Sequence, residues 1–262
     1  MNTKKTLRSI NNAVGKPKEM FNKLSIKLFS NFGSLNYRRF IVLTRSRTGS
    51  TMLISFLNSH PNIYAEGEIF RKLNGQNHKD ILVKTYPRQP GYIKAKGFKI
   101  FYFHPIDDDS NNLWDELISL DNLSIIHLKR RNILRTIVSR KIASTEKVWA
   151  TRSAKRHSAS RNKSVSFTTG ELEQGFKKTR DAEDKGDKEF SNHPLVTVYY
   201  EDLVINPEGE FGKVTEFLGV KYVPPKTHLK KQNPESLKVL IINYNELKSA
   251  FSGTEWQDFF DE

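Results

Sequence analysis

The sequence predicts an α/β fold: a single domain with a central, mostly parallel sheet flanked by helices. Three observations carry this. Short apolar runs rich in branched and aromatic residues recur at 40–43, 96–103, 123–128 and 195–200. Segments of helical periodicity alternate with them at 113–120, 133 to about 144 and 171 to about 189. Strands alternating with helices imply crossover connections and helices on both faces of the sheet. The 262 residues suffice for one large domain, with no repeat and no second-domain boundary in view.

The elements follow in order. Residues 40–43, FIVL, suit a strand buried on both faces of a parallel sheet. From Ser50 the apolar residues fall at Met52, Leu53, Phe56 and Leu57, one face of a helix. Residues 58–61 end it, because the residue before Pro61 is pushed out of the α region. Strand 96–103 (KGFKIFYF), helix 113–120 and strand 123–128 (LSIIHL) come next. Ile133, Leu134, Ile137, Val138 and Ile142 then define the buried face of a further helix. Helix 171–189 and strand 195–200 complete the alternation. Asp107, Asp109 and Asn111 lie in a polar loop; a calcium loop is excluded because Asn112 and Ile118 stand where its glycine and distal glutamate belong.

Residues 39–262 form the expected domain, and residues 1–38 a basic N-terminal segment. Within that segment Phe21, Leu24, Leu28, Phe29 and Phe32 fall near helical spacing. Residues 20–32 read either as an amphipathic helix on a membrane surface or as a packed helix or loose tail. The stretch 150–163, ATRSAKRHSASRNK, is basic and aperiodic and reads as a loop: either a disordered surface loop without a role, or a lid or acidic-substrate contact.

Forty-three Lys and Arg against 29 Asp and Glu leave a net charge of +14, which favours anionic partners. The absence of cysteine excludes disulfides, thiol catalysis and cysteine-ligated zinc. No stretch approaches the roughly 20 apolar residues of a membrane span, and no apolar region follows Lys4 and Lys5. A cytoplasmic protein is the expectation, with peripheral membrane contact left open.

Between the first strand and its helix lie Arg45, Ser46, Arg47, Thr48, Gly49, Ser50 and Thr51. Backbone N–H groups at a helix start, with the helix dipole behind them, point at bound anions. Gly49 allows close backbone approach, Arg47 adds a fixed charge, and Ser50 and Thr51 add hydroxyl donors. A plain turn with Ser50 as N-cap is the competing reading. A nucleoside-triphosphate loop, GxxxxGK[ST], is excluded because Thr44 replaces its first glycine and Ser50 its lysine. After the strand ending at Leu128, Arg131 sits at a helix mouth, and Asn132, Arg135 and Ser139 share one face. An Arg131 arm folded along that face would grip one phosphate together with Ser139; a solvated basic face is the alternative.

These two motifs together resemble the PAPS-dependent sulfotransferases, PAPS being 3′-phosphoadenosine 5′-phosphosulfate. Residues 47–51, RTGST, are similar to their 5′-phosphosulfate loop, and residues 131–139 to their 3′-phosphate segment, with Arg131 and Ser139 eight residues apart. Gly97-Phe98-Lys99, residues 200–220 and the tail from Lys230, similar to bacterial members, extend the likeness from about 39 to 251.

The resemblance implies the P-loop-like sulfotransferase fold and transfer of a sulfuryl group from PAPS to a hydroxyl, most naturally of a carbohydrate or glycolipid, with no metal. It implies that Arg47 stabilises the leaving phosphate, and that Arg45, Thr48, Gly49, Ser50, Thr51, Arg131 and Ser139 hold the donor, with Lys230 and Lys231 closing over it. Glu68 is the base implied by carbohydrate and tyrosyl sulfotransferases; Glu66 and His104 are the other candidates, and Lys99 lines the site. Two other classes remain: a basic protein that grips nucleic acid or acidic polymer, and a nucleotide kinase-like phosphotransferase.

Overall fold

A computed structural model describes residues 33–146, 163–227 and 234–261. The segment 1–32, nearly all of the basic loop 150–163, and Lys230 and Lys231 lie outside the described residues. Strand β1 (Arg38–Thr44) leads through α1 (Ser50–Ser59) to β2 (Ile63–Glu66), then α2 (His78–Thr85) and β3 (Ala95–Phe101). Helix α3 (Asn112–Ser119) precedes β4 (Leu123–Lys129), followed by α4 (Ile133–Glu146), α5 (Thr169–Glu189) and β5 (Leu195–Tyr199). The chain ends in α6 (Tyr200–Ile205), α7 (Pro207–Phe217), α8 (Leu237–Leu240), α9 (Tyr244–Ala250) and a 3-10 turn, Gln257–Phe260. Among the described residues no helix is long and apolar enough to cross a membrane.

The sheet has the order β2-β3-β1-β4-β5, and every pairing is parallel. The chain builds one side of β1 first and then crosses to the other. The C-terminal end of β1 is therefore a topological switch point, the crevice where open α/β sheets bind ligands.

Alternation along β1 explains its burial. Phe40 and Val42 face one way, into a cluster with Leu53, Phe56 and Leu57 of α1 and Phe211 and Val214 of α7. Ile41 and Leu43 face the other way, into a cluster with Phe98, Ile100, Leu117 and Phe190. Burying an aliphatic or aromatic side chain of this size contributes about 1.5–3 kcal/mol, so the central strand is held from both faces. A third cluster joins α4 and α5 to the C-terminal tail, where the Phe176 ring meets Phe251, Trp256 and Phe259 at centroid distances of 5.0–5.6 Å. Gly97 permits the tight β1–β3 approach; a Cβ there would lie 2.1 Å from the Phe40 carbonyl oxygen.

The strand expected over 96–103 ends two residues early, at Phe101. The His104 amide donates to the Phe101 carbonyl (2.9 Å) and closes a turn in place of the last strand residues. Helix α5 starts at Thr169 because Thr168 and Glu171 form a reciprocal capping box.

Candidate active site

The turn between β1 and α1 is closed by its own hydroxyls. Thr44 Oγ1 donates to the Leu128 carbonyl (2.6 Å) and Thr48 Oγ1 to that of Arg45 (2.7 Å). Thr48 thus spends its hydroxyl inside the turn and offers a ligand only its backbone N–H. Arg47 and Gly49 both adopt left-handed backbone, at φ 72° and 83°. At Gly49 a Cβ would also lie 2.2 Å from the Tyr200 ring, so packing and conformation both require glycine. Gly49 is the N-cap of α1 and no side chain caps the helix. Ser50 is the first helical residue rather than the cap, so the plain-cap reading fails. The α1 start keeps its N–H groups available to an anion.

A second segment meets this turn. Arg47 Nε donates to Ser139 Oγ on α4 (2.9 Å). Arg130 donates to the Arg47 carbonyl (3.1 Å) and lies 4.5 Å over the Tyr200 ring. Burial, and then the neighbouring Arg130 charge, pull the Arg47 pKa below its ordinary value. Two guanidinium groups brought together inside a crevice repel each other and favour an anion between them.

Arg131 departs from the sequence expectation. Its guanidinium does not fold along α4 to Ser139. It forks onto Asp202, with hydrogen bonds of 2.5 and 2.7 Å, and stacks 4.1 Å from the Tyr199 ring. The two-pronged carboxylate geometry and the aromatic face explain the preference. The backbone N–H groups of Arg131 and Asn132, at the α4 mouth, are taken by the Glu201 carboxylate (3.0 and 3.4 Å). Asn132 caps Arg135 N, and Arg135 reaches the Glu235 carbonyl (2.6 Å).

A third group lies beside the turn because Thr44 of β1 pairs with Phe101 of β3. Glu68 Oε1 sits 3.0 Å from Lys99 Nζ, and Glu68 Oε2 sits 3.9 Å from His104 Nε2. Glu66 pairs instead with the buried Lys96 (3.4 Å), which separates the two glutamates. His104 is buried, and burial drops its pKa to about 4 although Glu68 pulls the other way. Its Nδ1 accepts from the Phe101 amide (3.3 Å), which places the proton of the neutral ring on Nε2. A ring nitrogen carrying a proton is no base, so the geometry favours His104 as a partner of Glu68 over its candidacy as the base itself.

Sequence reasoning missed a hydrogen-bonded relay next to Arg45, running from half-buried Tyr102 through buried His127 to part-exposed Asp187. Tyr102 Oη donates to His127 Nε2 (2.6 Å), and His127 Nδ1 donates to Asp187 Oδ1 (2.7 Å), whose second oxygen receives Lys129 Nζ (2.5 Å). Burial lowers the His127 pKa to about 4 and raises that of Tyr102, which fixes the direction of both protons. Arg45 donates to Thr179 of α5 (2.8 Å); burial and the adjacent Arg140 pull its pKa down to about 10. Glu183, 3% exposed, has its pKa pushed up by burial to about 7. These contacts join residues far apart in the chain. Only the polar His127 and Lys129 inside an apolar strand hinted at them.

The profile of the sulfotransferase family matches residues 119–224, which span β4, the α4 segment and α6–α7. Over these residues the chain is similar to the sulfotransferase family. The chain is 28% identical to Nodulation protein H of Rhizobium tropici over 242 residues, covering 85% of this chain and 92% of that one. It is 24% identical to Nodulation protein H of Rhizobium meliloti strain 1021, covering 85% and 94%. Among solved structures, a sulfotransferase from Alicyclobacillus acidocaldarius superposes with a TM-score of 0.49 and 14% identity, covering 81% of this chain and 90% of that one. The sulfotransferase domain from the curacin biosynthetic pathway gives a TM-score of 0.42 at 14% identity, covering 74% and 80%.

Proposed function

We propose that this chain is a sulfotransferase that moves a sulfuryl group from PAPS to a hydroxyl of a carbohydrate or glycolipid acceptor and releases adenosine 3′,5′-bisphosphate. One observation carries the reading: the Arg47–Ser139 hydrogen bond ties an uncapped helix start to the α4 face. The two halves of a bisphosphate site thereby share one crevice at the switch point. The donor fits it by charge, since Arg47 and Arg130 converge there.

PAPS supplies the activated sulfur–oxygen bond; the chain supplies position and charge. The Gly49, Ser50 and Thr51 N–H groups and the Ser50 and Thr51 hydroxyls hold the 5′-phosphate. Arg47 faces the bridging oxygen, where negative charge grows as the bond breaks, and fixed donors at such a place are worth most. Arginine keeps its proton, so it acts by charge. Ser139 holds the 3′-phosphate, and Arg131 joins it by exchanging Asp202 for the phosphate. Arg45 shapes the turn from the α5 side. Glu68, oriented by Lys99 and His104, takes the acceptor hydroxyl proton.

The test is calorimetry with adenosine 3′,5′-bisphosphate and with AMP. The reading expects a clear preference for the bisphosphate. Equal binding of both, or none, overturns it in favour of a generic anion or polymer binder. Assay of labelled PAPS with neutral oligosaccharides then tests the acceptor class.

A further inference from the structure

We propose that Phe103 is the acceptor platform: its exposed face receives a pyranose ring and presents one of that ring's hydroxyls to Glu68. The proposal rests on the sulfuryl-transfer reading and names the recognition element within it.

The loop after β3 sorts three consecutive side chains. Tyr102 turns inward onto His127, and its amide donates to the Thr44 carbonyl (3.2 Å). His104 turns inward beside Glu68, and its carbonyl accepts from Trp114 Nε1 (2.8 Å). Phe103, between them, is left outward and 51% exposed. Its ring is nonetheless clamped, with centroids 5.6 Å from Phe101 and 5.1 Å from His104, the latter edge-to-face at 81°. An apolar ring held facing water contributes little to folding, and fixing it beforehand removes part of the entropy cost of binding.

The ring's neighbours identify what it receives. Phe103 touches His104, whose Nε2 faces Glu68, and Phe101, over which Lys99 Nζ sits at 5.2 Å. The platform is therefore one ring away from the candidate base. The face of an aromatic ring is negative and attracts the polarised C–H bonds on the apolar face of a pyranose. The charged groups one ring beyond it, Glu68 past His104 and Lys99 past Phe101, suit the hydroxyls that a pyranose carries. An apolar surface with a few convergent polar groups is the composition of a small-ligand site.

The experiment measures transfer from labelled PAPS by wild type, Phe103→Ala and Phe103→Trp. The acceptors are β-1,4-linked tetramers of glucose and of N-acetylglucosamine, a simple phenol and a straight-chain alcohol. Adenosine 3′,5′-bisphosphate binding is measured in each variant. The platform predicts that a sugar tetramer is the best acceptor. Phe103→Ala should raise its KM about three- to tenfold, the scale of one aromatic contact, with kcat within about twofold. Phe103→Trp should restore the KM, and bisphosphate affinity should not move. An unchanged sugar KM in Phe103→Ala, or a phenol or chain alcohol preferred over both sugars, overturns the platform. So does a wild-type protein that binds the bisphosphate and sulfates neither sugar. Loss of bisphosphate preference in the wild type would instead strike the sulfuryl-transfer reading itself.

Discussion

Arg47 Nε and Ser139 Oγ meet at 2.9 Å across 92 residues of sequence. This bond joins the β1–α1 turn to the α4 face, the two segments of the proposed donor site. Arg47→Ala should therefore lower kcat by about 10²–10³, the usual effect of removing one donor to a developing anion. Ser139→Ala should weaken adenosine 3′,5′-bisphosphate about tenfold by calorimetry while leaving AMP unaffected. A Ser139→Ala protein that loses both nucleotides equally would remove Ser139 from the 3′-phosphate.

Arg131 is held by Asp202, so donor binding at Arg131 must break a bidentate pair. Asp202→Ala is expected to strengthen bisphosphate binding by several-fold, and Arg131→Ala to weaken it. The two singles and the double form a cycle. If Arg131→Ala leaves the affinity at the wild-type value, the pair is purely structural and Arg131 plays no part in the site.

Glu68 and His104 should separate kinetically. Glu68→Gln removes the base and should cost about 10²–10⁴ in kcat. His104→Ala should cost far less, because the neutral ring carries its proton on Nε2 and only lies beside the carboxylate, 3.9 Å away. Its absence should not delete an ionisation near pH 6.5 from the kcat/KM profile, since the buried ring titrates at about 4. Loss of such an ionisation in His104→Ala would restore the histidine as the base.

Glu183 ties stability to pH. Its folded pKa, about 7, lies above the ordinary 4.5, so between those values the folded chain holds a proton the unfolded chain has lost. Stability from this group therefore falls as pH rises through that window. His104 and His127 act oppositely: with pKa values lowered from 6.5 to about 4, they make stability rise with pH across that range. Glu183→Gln removes the first effect alone. Relative to wild type it should gain about 1–3 kcal/mol more at pH 8 than at pH 5, or several degrees in Tm. An equal Tm difference at both pH values would contradict a buried, proton-holding Glu183.

Much of the frame was legible because buried parallel strands are apolar throughout and their helices are periodic. β1, β4 and β5 lie within two residues of the expected spans at each end. β2 was missed because four residues, IYAE, carry no period, and α2 because a single buried leucine, Leu82, anchors its polar turns. The anion turn was legible because its residues are contiguous. Arg130, Glu201 and the Tyr102–His127–Asp187 relay were not, because each contact joins elements brought together only by the sheet order. Arg131 shows the same limit from the other side: spacing placed it near Ser139, but Asp202, 71 residues away, decides its direction.

The loop from Tyr102 to His104 divides constraint unevenly among neighbours. A change at Tyr102 breaks its half-buried hydrogen bond to His127, and a change at His104 breaks the buried bond from the Phe101 amide; such losses cost about 1–3 kcal/mol each. A change at Phe103 breaks no hydrogen bond of its side chain; it removes ring contacts with Phe101 and His104 and alters what the solvent side presents. If Phe103 is the acceptor platform, the choice of acceptor rests on a position that mutation can revise more cheaply than either neighbour, while both flanking positions keep the local frame intact. Descendants of this chain can diversify in what they modify without first having to be rebuilt.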